Sequence, residues 1–141
     1  MGVLIHHYHT GYQLPEDNHL IDLLGLVVQK EEQQVGDINV VFTTNEEILE
    51  LNRKYLDHDY YTDVIAFHYD NGEVVEGDVF ISLDKVSENS EAFNATFTDE
   101  VVRVAVHGVL HLVGYHDKTS DEKAAMRARE DWYIDYFHRN Y

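Results

Sequence analysis

The sequence contains no cysteine in its 141 residues. Disulfide bonds are therefore excluded, and so is any metal site that uses thiolate ligands. A metal ion could be held only by histidine, aspartate or glutamate, and the chain has 10 histidines and 27 acidic residues. The composition thus favours nitrogen and carboxylate ligands.

Basic residues are scarce, and the formal net charge is -17. Because contacts from lysine and arginine to phosphates supply most non-specific affinity for nucleic acid, this charge argues against a protein that binds through a large basic surface. The imbalance lies in residues 1–117, which hold five basic and 22 acidic residues, whereas residues 118–141 hold five of each. An anionic substrate must therefore be met locally, by the C-terminal segment, a bound cation or a partner.

Long apolar runs are also absent. No run approaches the ~20 residues needed to span a bilayer, and the N-terminal segment MGVLIHHYHT lacks the basic start and apolar stretch of a signal peptide. We therefore expect a cytoplasmic protein that does not contact a membrane. The length suits one sizeable core better than two, so a single domain is expected over residues 1–141.

Hydrophobic spacing and capping residues predict both helices and strands. The helix that Thr98 is expected to cap, and that Gly114 ends, is apolar around most of its circumference, so it should be buried. Hairpin strands and separate helices do not alternate as a regular βαβ series, so we expect the α+β class, with one small mixed sheet of about four strands packed with helices. Strands are predicted over residues 3–9, 38–42, 63–69 and 74–82, and helices over residues 15–34, 44–55, 83–93, 98–113 and 119–137.

The segment HGVLHLVGYHD, residues 107–117, carries the strongest chemical signal. His107 and His111 are four residues apart, so they lie on one face of a helix and can bind the same ion. Gly114 can adopt a positive φ that ends the helix and turns the chain back, which allows a residue just beyond it to supply a third ligand. Asp117 keeps the spacing of the metzincin zinc signature, and His116 is the alternative third ligand.

Gly108 departs from that signature, because it stands where metalloproteases have the glutamate that acts as a general base. Peptidase chemistry is therefore poorly supported, although a metalloprotease-like hydrolase with a base from elsewhere is an alternative. Three protein ligands and an open fourth position are typical of a catalytic zinc ion, whose bound water becomes a nucleophile near neutral pH. We predict one Zn2+ per chain and no catalytic residue beyond this metal-bound water.

A structural interpretation competes with the catalytic one. Each histidine could be a polar residue on a mostly buried helix, hydrogen-bonded to backbone or carboxylate, and Asp117 could be a capping acid. The combination of two histidines, a helix-ending glycine and a correctly spaced acid favours the metal. Another alternative is a non-catalytic protein that holds a structural metal in a closed site of four protein ligands.

The motif also resembles that of a known family. HGVLHLVGYHD is similar to the HGxLHLxGYDH motif of the YbeY family of single-strand-specific endoribonucleases, also called the rRNA maturation factor family. Residues 51–70, LNRKYLDHDYYTDVIAFHYD, resemble the family segment LNxxYRxxDKPTDVLSFP, and residues 76–90, EGDVFISLDKVSENS, resemble its GDIVIS strand. The segment DEKAAMRARE stands where the family has an acidic helix with a methionine. The resemblance covers most of the chain and is weak before residue 40.

This resemblance implies a zinc-dependent enzyme that cleaves single-stranded RNA during rRNA maturation, notably at the 3' end of 16S rRNA, and that acts in ribosome quality control. By position, the family's zinc ligands fall on His107, His111 and Asp117, the last in place of a histidine. The implied partners are single-stranded RNA and the ribosome or ribosomal proteins. With such partners, the non-catalytic alternative is a ribosome-assembly factor with a structural metal.

Leu56 is a further departure, because the family commonly has an arginine there that is thought to contact RNA. Arg53, Lys54 or a residue of the terminal helix is expected to supply that charge instead. Because the chain is acidic, we expect a ribosomal partner, or the local field of zinc and nearby cations, to bring RNA to the site.

Other residues carry weaker signals. His7 and His9 share one side of the first predicted strand and could form a second metal site, although an exposed polar strand is the better interpretation. Asp78 is a candidate to accept a hydrogen bond from a zinc-bound imidazole. Three tyrosines are candidates to stack RNA bases: Tyr60, Tyr61 and Tyr69.

Overall fold

The computed structural model describes residues 2–9, 11–56 and 62–141, so Tyr60 and Tyr61 lie outside the described residues. Within these ranges there are four strands in one sheet and five helices, which confirms the predicted α+β class. None of these helices is both long and apolar enough to cross a membrane. The elements are β1 (Gly2–His7), α1 (Asp17–Lys30), β2 (Gln34–Thr43), α2 (Asn45–Tyr55), β3 (Val64–Asn71), β4 (Val74–Ser82), α3 (Leu83–Ala92), α4 (Phe97–Val113) and α5 (Ser120–Asn140).

The sheet is mixed, and its strand order is β1-β2-β4-β3. β2 pairs in parallel with both β1 and β4, whereas β3 pairs antiparallel with β4. A parallel pair needs a crossover connection, which α1 provides between β1 and β2. β3 and β4 form the hairpin that the sequence predicted, and the turn contains Gly72 with a φ of 74°, a conformation that glycine adopts without strain.

Most of the described helices begin at a residue whose hydroxyl side chain caps the first turn. The prediction that Thr98 caps α4 is wrong, because Thr98 lies inside the first turn. Thr96 is the cap: its backbone is extended, with φ -74° and ψ 154°, and its side-chain oxygen accepts a hydrogen bond from the backbone N–H of Asp99 over 3.1 Å. Among the described helices, four begin at such a cap: Thr44, Ser82, Thr96 and Thr119.

Helix α4 is buried, as its apolar surface predicted. Gly108 lies where the helix meets β3 and β4, and a Cβ atom built there would lie 2.5 Å from Cγ1 of Val79 and 3.3 Å from Cγ2 of Val64. Only a residue without a side chain permits this approach, so Gly108 serves the packing of the helix on the sheet. The other buried positions of α4 include Val101, Val102, Ala105, Val109, Leu110 and Leu112.

Helix α5 packs against α4 and carries a second buried stripe. A capping box fixes its start, since the side chain of Thr119 accepts from the backbone of Glu122 and the Glu122 side chain accepts from the backbone of Thr119. One charged residue lies in the buried stripe, whose members recur at helical spacing: Met126, Glu130, Tyr133 and Phe137.

Candidate metal centre

His107 and His111 lie one turn apart on the same face of α4. Their Nε2 atoms are 3.1 Å apart, and their rings meet edge to face at 81°. Both side chains are half-buried, so the two nitrogens face a site that solvent and small ligands can reach. The helix thus presents two imidazole nitrogens to one point, as the four-residue spacing predicted.

Asp117 comes to the same point because the helix ends sharply at Gly114. Gly114 has a φ of 123°, and its backbone N–H donates to the carbonyl oxygens of Leu110 and His111. This conformation is costly for residues with a side chain, so the glycine enables the chain to turn back. One carboxylate oxygen of Asp117 then lies 3.2 Å from Nε2 of His107 and 3.3 Å from Nε2 of His111.

The three atoms form a nearly equilateral triangle, with edges of 3.1, 3.2 and 3.3 Å. Two ligand atoms that each lie ~2.0 Å from an ion in tetrahedral geometry are about 3.3 Å apart. The triangle therefore fits three of the four vertices around a zinc-sized ion. Among the described residues, this is the one group of three or more histidine and acidic side chains close enough to hold a metal.

His116, the alternative third ligand, does not belong to that group. Its side chain is exposed and lies on the wall of a neighbouring cleft. The local geometry therefore favours Asp117 over His116, although the ligand role of each residue stays a prediction.

The second nitrogen of each imidazole has an acceptor that orients the ring. Nδ1 of His107 lies 2.7 Å from Oε2 of Glu130, and Nδ1 of His111 lies 2.9 Å from the carbonyl oxygen of Tyr115. A carbonyl or carboxylate oxygen can only accept, so each Nδ1 carries the proton and each Nε2 lone pair is free for a metal. These partners favour the tautomer that metal binding requires.

Glu130 links His107 to a cation. The side chain of Glu130 is 6% exposed, and its other oxygen accepts from Nη1 of Arg103 over 2.9 Å. Burial lowers the pKa of His107, but the hydrogen bond to Glu130 and the negative charges of Glu130, Asp117 and Asp63 outweigh this effect and raise that pKa overall. Arg103 also donates to Asp131, so the guanidinium is held by two carboxylates.

The sequence did not reveal Glu130, although one signal was present. Glu130 recurs at helical spacing with Met126, Tyr133 and Phe137 on the buried stripe of α5. A buried carboxylate needs a hydrogen-bonding or charged partner, and the histidine pair was the predicted site that could supply one. Asp78 was the residue predicted to accept from a zinc-bound imidazole. That hypothesis is wrong, because Asp78 accepts from Asn39 and Tyr69, and both Nδ1 atoms of the site have other partners.

The histidines of β1 do not form a second metal site within the described residues. His7 and His9 do lie on the same side, with Nδ1 of His7 3.0 Å from Nε2 of His9. The other nitrogen of His7 lies 2.8 Å from a carboxylate oxygen of Asp17, and His6 on the opposite side pairs with Asn39. Hydrogen bonds within the fold therefore hold His6 and His7, whereas Nδ1 of His9 is buried without a hydrogen-bond partner among the described residues.

Two clefts flank the metal-site residues. We call the first, of about 470 Å³, the leucine cleft, because Leu56 lies on its wall, 40% exposed. We call the second, of about 360 Å³, the arginine cleft, because Arg103 and Arg127 line it. His107, Asp117 and Asp63 line both.

Two carboxyl groups line both clefts: the candidate ligand Asp117 and Asp63. Burial raises the pKa of Asp63, and the nearby His107 offsets only part of this effect. Its carboxylate accepts from the side-chain amide of Asn89 over 3.2 Å, and its backbone carbonyl accepts from Ser82. Asp63 is therefore fixed by α3 and β4 at the junction of the two clefts.

The structure shows which of the candidate cations that could replace the arginine expected at position 56 lie near the metal-site residues. Arg53 and Lys54, two candidates to replace the arginine expected at position 56, are not among the described residues that line either cleft. The third candidate, a residue of the terminal helix, has two representatives in the arginine cleft, Lys123 and Arg127.

The chain is similar to known proteins over most of its length. The model of the family described as Endoribonuclease YbeY matches residues 15–138. A protein of Cytophaga hutchinsonii named Endoribonuclease YbeY is 46% identical over 86% of this chain and 86% of its own length. A protein of Chlorobaculum tepidum with the same name is 40% identical over 90% of this chain and 93% of its own length.

A solved structure agrees with the fold. The solution structure of a Thermotoga maritima protein superposes with a TM-score of 0.64 and 30% sequence identity, covering 95% of this chain and 89% of that one. The family match spans β2, β3 and β4, the buried helix α4 and the segment that carries His107, His111 and Asp117, whereas β1 lies before the matched residues. The resemblance inferred from the motif is thus confirmed, and the chain belongs to the Endoribonuclease YbeY family.

Proposed function

We propose that this protein is a single-domain, zinc-dependent endoribonuclease that cleaves single-stranded RNA. The observation that carries the proposal is the triangle of His107, His111 and Asp117, with edges of 3.1 to 3.3 Å, at the junction of two open clefts. Membership of a family named for endoribonuclease activity supports RNA as the substrate.

The ligand set favours zinc over harder cations. Two imidazole nitrogens and one carboxylate oxygen are typical of catalytic zinc sites, whereas magnesium and calcium prefer oxygen ligands alone. His107, His111 and Asp117 would hold one Zn2+ per chain. When bound in such a site, the ion supplies positive charge and lowers the pKa of a coordinated water towards neutrality.

The chain's own residues prepare the site for that chemistry. Glu130 and the carbonyl of Tyr115 hold the two imidazoles with Nε2 deprotonated. Because the described group contains three ligands and His116 stays outside it, a fourth position is left for water or substrate. This arrangement favours a catalytic metal over a closed structural one, and Gly108 offers no base for peptidase chemistry.

The cellular role is part of the same proposal. We place the protein in the cytoplasm, acting on the 3' end of 16S rRNA during maturation and in ribosome quality control. A net charge of -17 opposes tight binding of RNA by the enzyme alone, so a ribosome or ribosomal protein that presents the RNA fits the chemistry.

Cleavage of a labelled single-stranded RNA tests the proposal, with the same sequence in a duplex as the comparison substrate. Purified protein should cut the single strand, and a chelator should abolish the activity, which added Zn2+ should restore. His111→Ala should be inactive, because it removes one ligand. His138→Ala is the matched control, since His138 is exposed on α5 and pairs with Asp99.

A contaminating nuclease is the main source of false activity. His111→Ala and His138→Ala prepared in parallel carry the same contaminants, so a difference between them belongs to the protein. Cleavage that survives both the chelator and His111→Ala would contradict the proposal.

A further inference from the structure

The arginine cleft and the leucine cleft differ in charge. The described lining of the leucine cleft contains no lysine or arginine. It includes Leu56, Asn52 and His116. The lining of the arginine cleft contains three cations, Arg103, Lys123 and Arg127. In a chain with only 10 lysines and arginines, three of them beside the candidate metal ligands is a marked concentration.

Of the three cations that line the arginine cleft, Lys123 and Arg127 are the two available to a ligand. Both are exposed on α5, and in the part of the chain that the structure describes neither takes part in an ion pair. The guanidinium of Arg103 is already paired with Glu130 and Asp131, so it is not available to bind a ligand. Other cations have partners within the fold: Lys85 with Glu88, Arg129 with Glu31, Arg139 with Asp135 and Lys30 over the ring of Trp132.

The spacing of Lys123 and Arg127 places both charges on one face of α5. Residues four apart lie one turn apart on the same side of a helix. Glu130 follows Arg127 by three residues, so this face continues to the carboxylate that orients His107. The two cations therefore form a line that leads along α5 towards the candidate metal centre.

The carboxyl groups of the arginine cleft do not cancel these charges fully. Glu130 is paired with Arg103 and His107, and Asp117 is a proposed metal ligand. Asp63 accepts from the side-chain amide of Asn89, and Glu100 is 4% exposed. The exposed cations on the wall that no described carboxylate pairs are thus Lys123 and Arg127.

An aromatic side chain lies in the same cleft. Phe93, at the C-terminal end of α3, is 62% exposed and lines the arginine cleft with Asn89. Exposed aromatic faces next to cations are the usual means by which proteins bind single-stranded nucleic acid, since bases stack on the ring while phosphates meet the cations.

We propose that the substrate strand enters the metal centre through the arginine cleft, with its phosphates on Lys123 and Arg127 and one base on Phe93. This inference rests on the proposed function, because it takes RNA as the ligand. It assigns the phosphate-binding role to α5, and it leaves the leucine cleft as the side of the site whose described lining holds no lysine or arginine.

The test compares two double variants with the same change in net charge. Lys123→Gln with Arg127→Gln removes the pair in the cleft, and Lys118→Gln with Arg139→Gln removes two exposed cations outside the described lining of both clefts. Circular dichroism and thermal unfolding check that each variant folds. Fluorescence anisotropy then measures binding of a labelled single-stranded RNA at several salt concentrations, with the zinc-loaded protein in a short time window.

The cleft variant should bind RNA at least about 10-fold more weakly than the control variant at low salt. Each phosphate contact on a single strand contributes about 0.7 to the slope of log affinity against log salt, so the loss of two contacts should reduce that slope by about 1.4. Phe93→Ala should weaken binding about 10-fold, whereas Phe93→Trp should retain it, because stacking needs only an aromatic face.

Failure of this inference and failure of the proposed function are separable. Equal affinity and equal salt slope in the two double variants, or absence of RNA binding by the unaltered protein, overturns the inference. RNA binding that depends on Lys123 and Arg127 in a protein that does not cleave supports the inference and contradicts the proposed catalysis. In cleavage assays, the cleft variant should raise KM while kcat stays within about 2-fold, since neither residue is a metal ligand.

Discussion

Glu130 on α5 lies 2.7 Å from Nδ1 of His107 on α4, and this contact links the two helices at the candidate metal centre. The carboxylate makes Nδ1 the protonated nitrogen and so directs the lone pair of Nε2 to the metal position. Arg103 in turn holds the carboxylate in place. Such partners of a ligand histidine are worth 10- to 100-fold in metal affinity, as an order-of-magnitude estimate.

Glu130→Gln should therefore weaken zinc binding by about 10- to 100-fold, because the amide lacks the negative charge that makes the imidazole a better ligand. Competition with a chromophoric chelator measures the affinity. Asp131→Asn is the matched control, since Asp131 is the neighbouring acid, is exposed and contacts Arg103 but not His107. Equal zinc affinity in the two variants would show that Glu130 does not act through the metal ligand.

The choice between Asp117 and His116 predicts opposite results for two neighbouring substitutions. Asp117→Ala should lose bound zinc and activity, because its oxygen lies 3.2 and 3.3 Å from the two imidazole nitrogens. His116→Ala should keep one zinc per chain, since that side chain is exposed and outside the three-residue group. Metal analysis of the dialysed proteins measures the stoichiometry, and zinc loss only in His116→Ala would reverse the assignment.

Gly108→Ala should destabilise the fold by about 1–3 kcal/mol, the usual cost of overpacking a core. The added methyl would lie 2.5 Å from Cγ1 of Val79, so α4 would have to move off the sheet. Chemical denaturation measures the free energy of unfolding. Adding Val79→Ala to the same chain removes the clashing atom and should recover part of the loss.

Gly25→Ala provides the control for helix propensity. Gly25 lies within α1, and a Cβ built there meets no atom within 4 Å, so the substitution should stabilise the fold by about 0.5–1 kcal/mol. A gain in stability from Gly108→Ala as well would mean that α4 does not pack closely against Val79.

Glu100→Gln should change how stability depends on pH. Burial raises the pKa of Glu100 above its ordinary 4.5, although Arg103 and Arg127 partly offset the effect. The folded state therefore holds this proton more tightly than the unfolded state, so its favourable contribution is fully present below pH 4.5 and is lost as the pH rises through the folded-state pKa.

The glutamine variant carries no titrating group at this position, so it should gain stability relative to the unaltered protein as the pH rises from about 4 to about 7. Denaturation at several pH values measures this difference. A difference that stays constant, or that changes in the opposite direction, would contradict the raised pKa.

Features that depend on neighbours within a few residues were accessible from the sequence. His107 and His111 converge because an α-helix brings residues four apart to one face, whatever lies around it. The same holds for the capping box of Thr119 and Glu122 and for the turn before β4. The α+β class and the family followed from such local patterns and were confirmed.

Features that depend on distant elements were missed. Asp78 was a reasonable candidate partner for an imidazole, but its carboxylate accepts hydrogen bonds from Asn39 and Tyr69, which lie on the neighbouring strands. Thr98 has a capping residue type, yet Phe97 stacks on Tyr12 and the chain already enters the helix after Thr96. The residue type was suitable in both cases, but the packing of other strands determined the partners of Asp78.

The sequence by itself determined that two histidines face one point and that a glycine three residues later lets the chain return an acid to them, because these are consequences of helix geometry and backbone freedom. Only the tertiary structure decided that Glu130, 23 residues away from His107, completes the site, and that Lys123 and Arg127 line one cleft while Leu56 lines the other. The packing of α5 on α4 sets these relationships, and no local pattern encodes the angle at which two helices meet.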